Sequence, residues 1–405
     1  MQVSGMFVIS KRRIAFYKSG NKYISMAVKD KVVGWFIRNI VMPGMEIIDK
    51  PGFIIITLTD KKERIELREV FFPEKVISEL ESDIIKKYGK RGKSVLYSIG
   101  KKFGYRLSLI SRYPNTKKNS KKEIDDFLYF FFRYMEATYA KKLEAEYDFN
   151  KKIYIMHMDD YIVCSNNGLG LIYTDGGCAG VWAYIVQDSS MEGVQTKCQG
   201  RGAKSCEVIC APPEVLSSKK LKFFKETDMS RLDFDPTYTS LNQVNKTSYA
   251  KFSLKDMIDS SFFTHSVKGI EHMKSRYTLT ESSLLYIIEN ELKRLNGADK
   301  ILHKVVFDFF SDLIRKEKIK DVEDYITQYL SALGFGDVSF IKKNNKYSVI
   351  IDFYPWTRFT DTCKFVILRA MISGLMSGFE KKNIEFTKVD KNINRGYLSV
   401  ILYQK

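Results

Sequence analysis

Hydrophobic and polar positions alternate with a period of two in the first seventy residues, and that alternation predicts strands. The runs FVISKRRIAFY, KYISMAV, FIIITLT and RIELREV are separated by turn signals such as Ser19-Gly20-Asn21 and Pro51-Gly52. Between the second and third runs, DKVVGWFIRNIV places Val32, Val33, Phe36 and Ile40 on one helical face. Residues 1–71 are therefore expected to form a small β-rich unit. From Phe72 the period changes to 3.6. The segment PEKVISELESDIIKKYGKRGKSVLYSIGKKFGYRLSLI predicts two helices broken near Gly89 and Gly92, and DDFLYFFFRYMEATYAKKLEAEYD predicts a further, aromatic-rich helix. KKIYIMHM and DYIVCSN then read as strands, GGCAGVWAYIVQD as a helix, and the segments around VQTKCQG and KSCEVICA as two closing strands. Helices, strands, helix and strands in that order indicate an α+β domain over 72–212.

The same outline returns later in the chain. Residues 213–255, with Ser217-Ser218, Asp235-Pro236 and scattered polar positions, predict a linker. Helical spacing resumes in TESSLLYIIENELKRLNGADKILHKVVFDFFSDLIRK, again with a central glycine, and DVEDYITQYLSALGFGDVSFIKKNNKYSVIIDFYPWTRF repeats the helix-then-strands order. The closing segment AMISGLMSGFEKKNIEFTKVDKNINRGYLSVIL follows GGCAGVWAYIVQDSSMEGVQTKCQGRGAKSCEVIC in outline. Two homologous α+β domains are expected, 72–212 and 256–405.

The repeat also locates candidate chemistry. Aligning Ser373-Gly374 with Ala179-Gly180, and Phe386-Thr387-Lys388 with Gln195-Thr196-Lys197, puts Ile372 opposite Cys178 and Val389 opposite Cys198; with one inserted residue, Leu398 falls opposite Cys206 and Leu402 opposite Cys210. A fold that accepts Ile, Val and Leu at these places does not need thiols for packing, so the thiols of the first copy are expected to bind something. Zinc favours thiolate and imidazole ligands in a tetrahedron. Cys206 and Cys210, four apart on a predicted strand, lie roughly 13 Å apart and cannot easily share an ion. Cys178, Cys198 and Cys206 remain as metal ligands, with Cys210 in the core.

Composition narrows the class. A chain of 405 residues with 44% hydrophobic and 14% aromatic content buries two or three cores and is not disordered. The net charge of +18, from 66 Lys+Arg against 48 Asp+Glu, favours acidic partners. The cations are scattered, however; the dense cluster Lys117-Lys118-Asn119-Ser120-Lys121-Lys122 reads as a solvated loop, and no nucleic-acid-binding motif accompanies it. No apolar run of about 18 residues predicts a membrane span. The N-terminus lacks signal-peptide features, and the crowded cysteines suit a metal site or reduced thiols better than a secreted disulfide framework. A cytoplasmic location is the expectation.

Cys198 and Cys206, eight residues apart around a turn holding Gly200 and Gly202, together with the small-residue helix bearing Cys178, resemble the closing segment of the 4-vinyl reductase domain family. The resemblance covers about residues 72–212, and 280–405 in degenerate form. It implies a TRAPP-like α+β fold, in tandem here, and binding of small hydrophobic molecules, as in the input modules of sensor proteins. One departure is Gln195, where the family often has a glutamate ligand; Glu192, His157 or a water are the alternatives for the fourth zinc position. Phe131 and Tyr134 of the aromatic helix, with Tyr154, Met156 and Trp182, are the residues expected to wall a ligand pocket.

No HExxH spacing, paired catalytic acids, Walker motif or dinucleotide fingerprint appears, and a reductase would need an electron donor site that the sequence does not show. A ligand-binding protein with one structural zinc is therefore the leading expectation, with a homodimer or an intramolecular pseudo-dimer as its assembly. A protein-assembly scaffold and a zinc-assisted enzyme are the competitors.

Overall fold

The computed structural model describes residues 45–405 apart from 61–62, 227, 230–240, 267–268, 318, 357–362 and 395–396. The first two expected strands and the helix after them lie outside the described residues. Strands β1 (Met45–Lys50), β2 (Phe53–Asp60) and β3 (Glu63–Pro73) form an antiparallel meander. β3 runs directly into α1 (Glu74–Ile110), whose expected break is a kink at Gly89, φ 55° and ψ −128°, a conformation open mainly to glycine.

Helix α2 (Lys121–Tyr139) opens with a capping box between Ser120 and Glu123. It ends earlier than the 3.6 periodicity suggests. KLEAEYD forms strand β4 (Lys142–Asp148) instead, because Leu143 and Ala145 face the core with a period of two. β5 (Ile153–Asp159) follows. The expected strand DYIVCSN is corrected to a turn and a short helix α3 (Cys164–Asn167), since Val163 and Gly168 on either side have left-handed backbones. A π-helical turn, Leu171–Gly177, continues into α4 (Cys178–Ile185), and β6 (Glu192–Lys197) and β7 (Cys206–Ala211) close the unit.

After α5 (Pro213–Ser218) and α6 (Leu254–Asp259), a second meander appears: β8 (Thr264–Ser266), β9 (Gly269–His272) and β10 (Ser275–Glu281). Helices α7 (Ser283–Leu292) and α8 (Ala298–Arg315) part at Gly297, φ 77°. Then come α9 (Val322–Ala332), β11 (Asp337–Lys343), β12 (Lys346–Asp352), α10 (Val366–Glu380), β13 (Phe386–Asn394) and β14 (Tyr397–Gln404).

The two four-stranded sheets share one order, β4-β5-β7-β6 and β11-β12-β14-β13, each with a helix between its second and third strands. The chain is thus of mixed α+β class. The repeating unit is longer than the sequence pattern indicates, because each half begins with a three-stranded meander. The two meanders join through β3 and β10 into one six-stranded sheet, β1-β2-β3-β10-β9-β8, with Leu279 opposite Phe71. The described part of the expected N-terminal unit is therefore not a separate body: pairing with β10 removes the open edge of β3, and Ile54, Leu67 and Phe71 belong to the main core.

The C-terminal half of α1 is the centre of that core. The π-turn and α4 lie backbone to backbone against it; a Cβ at Gly100 would collide with the Ile172 carbonyl, and one at Gly180 with the Lys101 carbonyl. Three cations of α1 are buried and paired: Lys101 with Glu192 at 3.0 Å, Lys102 with Glu291 at 2.9 Å and Arg106 with Glu281 at 2.8 Å. The last two acids belong to the second half. Breaking either pair would leave a buried charge alone, so the halves are held in one register. Among the described residues no helix is long and apolar enough to cross a membrane.

Candidate metal centre

β5 ends at Asp159, and the chain turns back through Val163, whose φ of 62° is unusual for a β-branched residue. Glu74, the first residue of α1, secures this turn by accepting the Val163 N–H and a bond from Asn166 Nδ2 at 2.7 Å. The turn sets Cys164 at the start of α3 with its side chain inward. Opposite it, the β6–β7 connection makes a tight knuckle: Arg201 and Ala203 N–H groups both donate to the Cys198 carbonyl at 3.0 Å, and Gly202 has φ 90°. Gln199 ties knuckle to turn, accepting from Asp160 N–H at 2.6 Å and donating to Asp159 Oδ1 at 2.7 Å.

These two loops bring Cys164, Cys198 and Cys206 together, all buried, with their sulfurs within 4.8 Å of one another. Cys164 and Cys206 Sγ are 3.2 Å apart. A zinc ion with Zn–S bonds of about 2.3 Å needs sulfurs about 3.8 Å apart, so small adjustments would seat it. The Gln199 N–H donates to Cys206 Sγ at 3.4 Å, a bond that favours thiolate. Hydrogen bonding among the three sulfurs pushes the Cys164 thiol up and, helped by Arg201 and the Gly200 N–H, brings Cys198 down. Cys206 is lowered by the same Cys164 bond. Two thiols drawn toward thiolate beside a third that an ion would have to deprotonate make a donor set that suits zinc and other thiophilic ions. Among the described residues no His, Asp, Glu or further Cys joins the three.

The cluster keeps two of the three expected cysteine ligands and exchanges the third. Cys178 sits on α4, away from the cluster, with its thiol toward the Tyr173 carbonyl at 3.8 Å; burial pushes it up and keeps it neutral. The cysteine that takes its place, Cys164, lies in a segment whose apolar residues imitate a strand, and upstream of the closing segment that the second copy repeats. The signal available was its place in the polar, glycine-bounded stretch CSNNGLG, which reads better as a turn than as a strand. Glu192 is also placed elsewhere: it pairs with Lys101 and accepts from the Tyr97 hydroxyl and the Glu226 N–H. His157 faces Glu207 at 3.4 Å. Gln195 accepts from Arg201 Nη2 at 3.1 Å, and Cys210 is core, as expected.

An apolar cavity of about 40 Å³ lies beside α4, walled by Phe131, Met156 and Trp182 as expected, and by Cys178. Phe103 of α1 and Tyr173 of the π-turn are among the walls the sequence did not indicate. Tyr154 stacks on Trp182 with ring centroids 3.5 Å apart and is not part of the lining. The side chain of Tyr134 lies outside the described residues. Cluster and cavity are linked by one stretch of chain, from Cys164 through the π-turn to Cys178. The buried Glu81 of α1 fixes its middle by accepting the Gly170 and Ile172 N–H groups, both at 2.8 Å.

Compared with models of known protein families and with curated proteins, the chain matches none. Fold and site define a mixed α+β protein of two structurally repeated halves, one of which carries a buried three-cysteine cluster.

Proposed function

We propose that this chain is a binding protein for small apolar molecules, built as two 4-vinyl reductase-like, TRAPP-like halves that pair within one chain. In this reading a zinc ion held by Cys164, Cys198 and Cys206 clamps the β6–β7 hairpin to the turn after β5. The observation that carries it is the continuity of the metal turn, the π-turn and the cavity wall: ordering Cys164 also orders the backbone that bears Tyr173 and Cys178. The resemblance of the Cys198–Cys206 segment to that family supports the same reading. A cavity of about 40 Å³ is far below the volume of a typical ligand site, so the occupant is either very small or enters as the walls move apart.

The test is zinc analysis of protein purified without a metal-affinity tag, with mass spectrometry of denatured extracts for a co-purifying molecule. About one zinc per chain and an apolar molecule released on denaturation are the expected results. Neither zinc nor ligand would overturn the reading and favour a scaffold that presents the paired halves to other proteins. The three-ligand set favours a second reading, in which a zinc-bound water in the fourth position polarises a substrate. Turnover that depends on zinc would distinguish it.

A further inference from the structure

Between Asp83 and Glu123 the sequence contains no acidic residue, and five cations, Lys86, Lys87, Lys90, Arg91 and Lys93, fall around the kink of α1. All five are exposed. The kink abuts the corresponding break between α7 and α8: Tyr88 hydroxyl donates to the Asn296 carbonyl and Arg91 Nη2 to the Arg294 carbonyl, both at 2.7 Å. Lys293, Arg294 and Lys300, also exposed, thereby adjoin the first five. The linking segment reaches the rim of the tract, because Glu226 meets Ser98 of α1 and Arg294.

The nearby acids leave this charge largely uncompensated. Glu79 pairs with Lys75 at 3.5 Å, Asp299 with Lys364 at 4.0 Å, and Asp308 with Lys304 at 2.5 Å. Glu291 is shared by Lys102 and Arg294, and Glu226 by Arg294 and Ser98. Asp83, one turn before Lys86 and Lys87 on α1, offsets part of the charge at that end of the tract, and its field also reaches Lys304. Among the described residues, the side-chain ammonium groups of Lys86, Lys90, Lys93 and Lys300 form no ion pair with a carboxylate; the Lys300 contact to Asp299 Oδ1 is through its backbone N–H.

We propose that this tract binds the phosphate backbone of duplex nucleic acid, independently of sequence. Its extent suits a polyanion rather than a single small anion, because the exposed cations of the α1 kink and those of the α7–α8 break adjoin one another across two helices. A membrane surface fits less well, since the exposed large apolar side chains, such as Leu109, Tyr249 and Ile341, lie elsewhere. The aromatic ring of the kink, Tyr88, is half-buried with its hydroxyl committed to the Asn296 carbonyl, which leaves little of the stacking platform that single strands use. Lysine-rich and flanked by no base-reading motif, the surface would neutralise phosphates and read no bases.

The experiment is fluorescence anisotropy of the full chain with a labelled duplex of about 24 base pairs, from about 50 to about 200 mM NaCl. Each phosphate contact contributes roughly −0.9 to the slope of log affinity against log salt. Lys86→Glu, Lys90→Glu and Lys93→Glu together are expected to lower the magnitude of that slope by about 2.7 and the affinity at low salt by at least about tenfold. The control, Lys117→Glu, Lys118→Glu and Lys122→Glu, makes the same charge change on the loop before α2 and is expected to keep the wild-type slope. Equal losses in both variants would reduce the effect to net charge and overturn the proposal. So would no duplex binding at about 50 mM salt, including the case in which vesicles rich in phosphatidylserine are bound instead.

Discussion

Arg276 and Glu74 form a two-pronged buried ion pair, Nε to Oε2 at 2.5 Å and Nη2 to Oε1 at 2.9 Å, that joins the second meander to the first residue of α1. Glu74 is also the residue that holds the Val163–Asn166 turn. A strand of the second half thus supports the loop that presents a candidate metal ligand in the first.

Removing the arginine tests that support. Arg276→Met would leave Glu74 buried without its partner, and a loss of about 3–5 kcal/mol is expected in urea denaturation. The variant should also lose zinc to a chelator more readily than wild type. Unchanged zinc affinity at reduced stability would separate the ion pair from the site.

The exchange of Cys178 for Cys164 gives a direct contrast. Cys164→Ser is expected to abolish stoichiometric zinc, whereas Cys178→Ser should retain about one equivalent, as read by elemental analysis after dialysis. The reverse outcome would restore the ligand set expected from sequence.

Glu81 should give stability a pH dependence of defined sign. Burial raises its carboxyl from 4.5 to about 7, partly offset by the Ile172 and Gly170 N–H groups. The folded state therefore binds this proton more tightly than the unfolded chain. Stability is fully present below about pH 4.5 and falls as pH rises to about 7, by on the order of 3 kcal/mol. Asp175, raised to about 8 by burial and by Glu81, acts in the same direction. Denaturation curves at several pH values should show a shallower decline for Glu81→Gln than for wild type, whatever its absolute stability; parallel declines would exclude Glu81 as the source.

Trp182 is both a cavity wall and the partner of Tyr154. Trp182→Ala should cost about 3–5 kcal/mol and enlarge the cavity. Toluene should then raise the melting temperature of the variant more than that of wild type. No toluene response in the variant would show that the walls collapse into the space.

Much of the fold was legible. The 3.6 periodicity, the central glycines and the repeated helix-then-strands order correspond to α1, the α7–α8 pair and two sheets of one strand order. Gly89 and Gly297 were visible because positive φ is a local demand on one residue. The errors at KLEAEYD and DYIVCSN have a common cause: short segments carry little periodic information, and burial by other elements decides between strand, turn and helix. Cys198 and Cys206 could be chosen because their ligand geometry depends on a tight local knuckle. Cys164 could not, because it reaches the cluster only through a turn held by Glu74 and, behind it, by Arg276.

The sequence by itself determined the long elements, the duplication, the cysteine-rich copy and the positive charge, all of which follow from patterns within a few turns of chain or from its internal similarity. Tertiary structure decided which thiols meet, which carboxylates are already committed to buried cations, and that the two meanders fuse into one sheet. Those outcomes depend on contacts between residues as far apart as Glu74 and Arg276, where packing and the need to pair buried charges fix what no local pattern encodes.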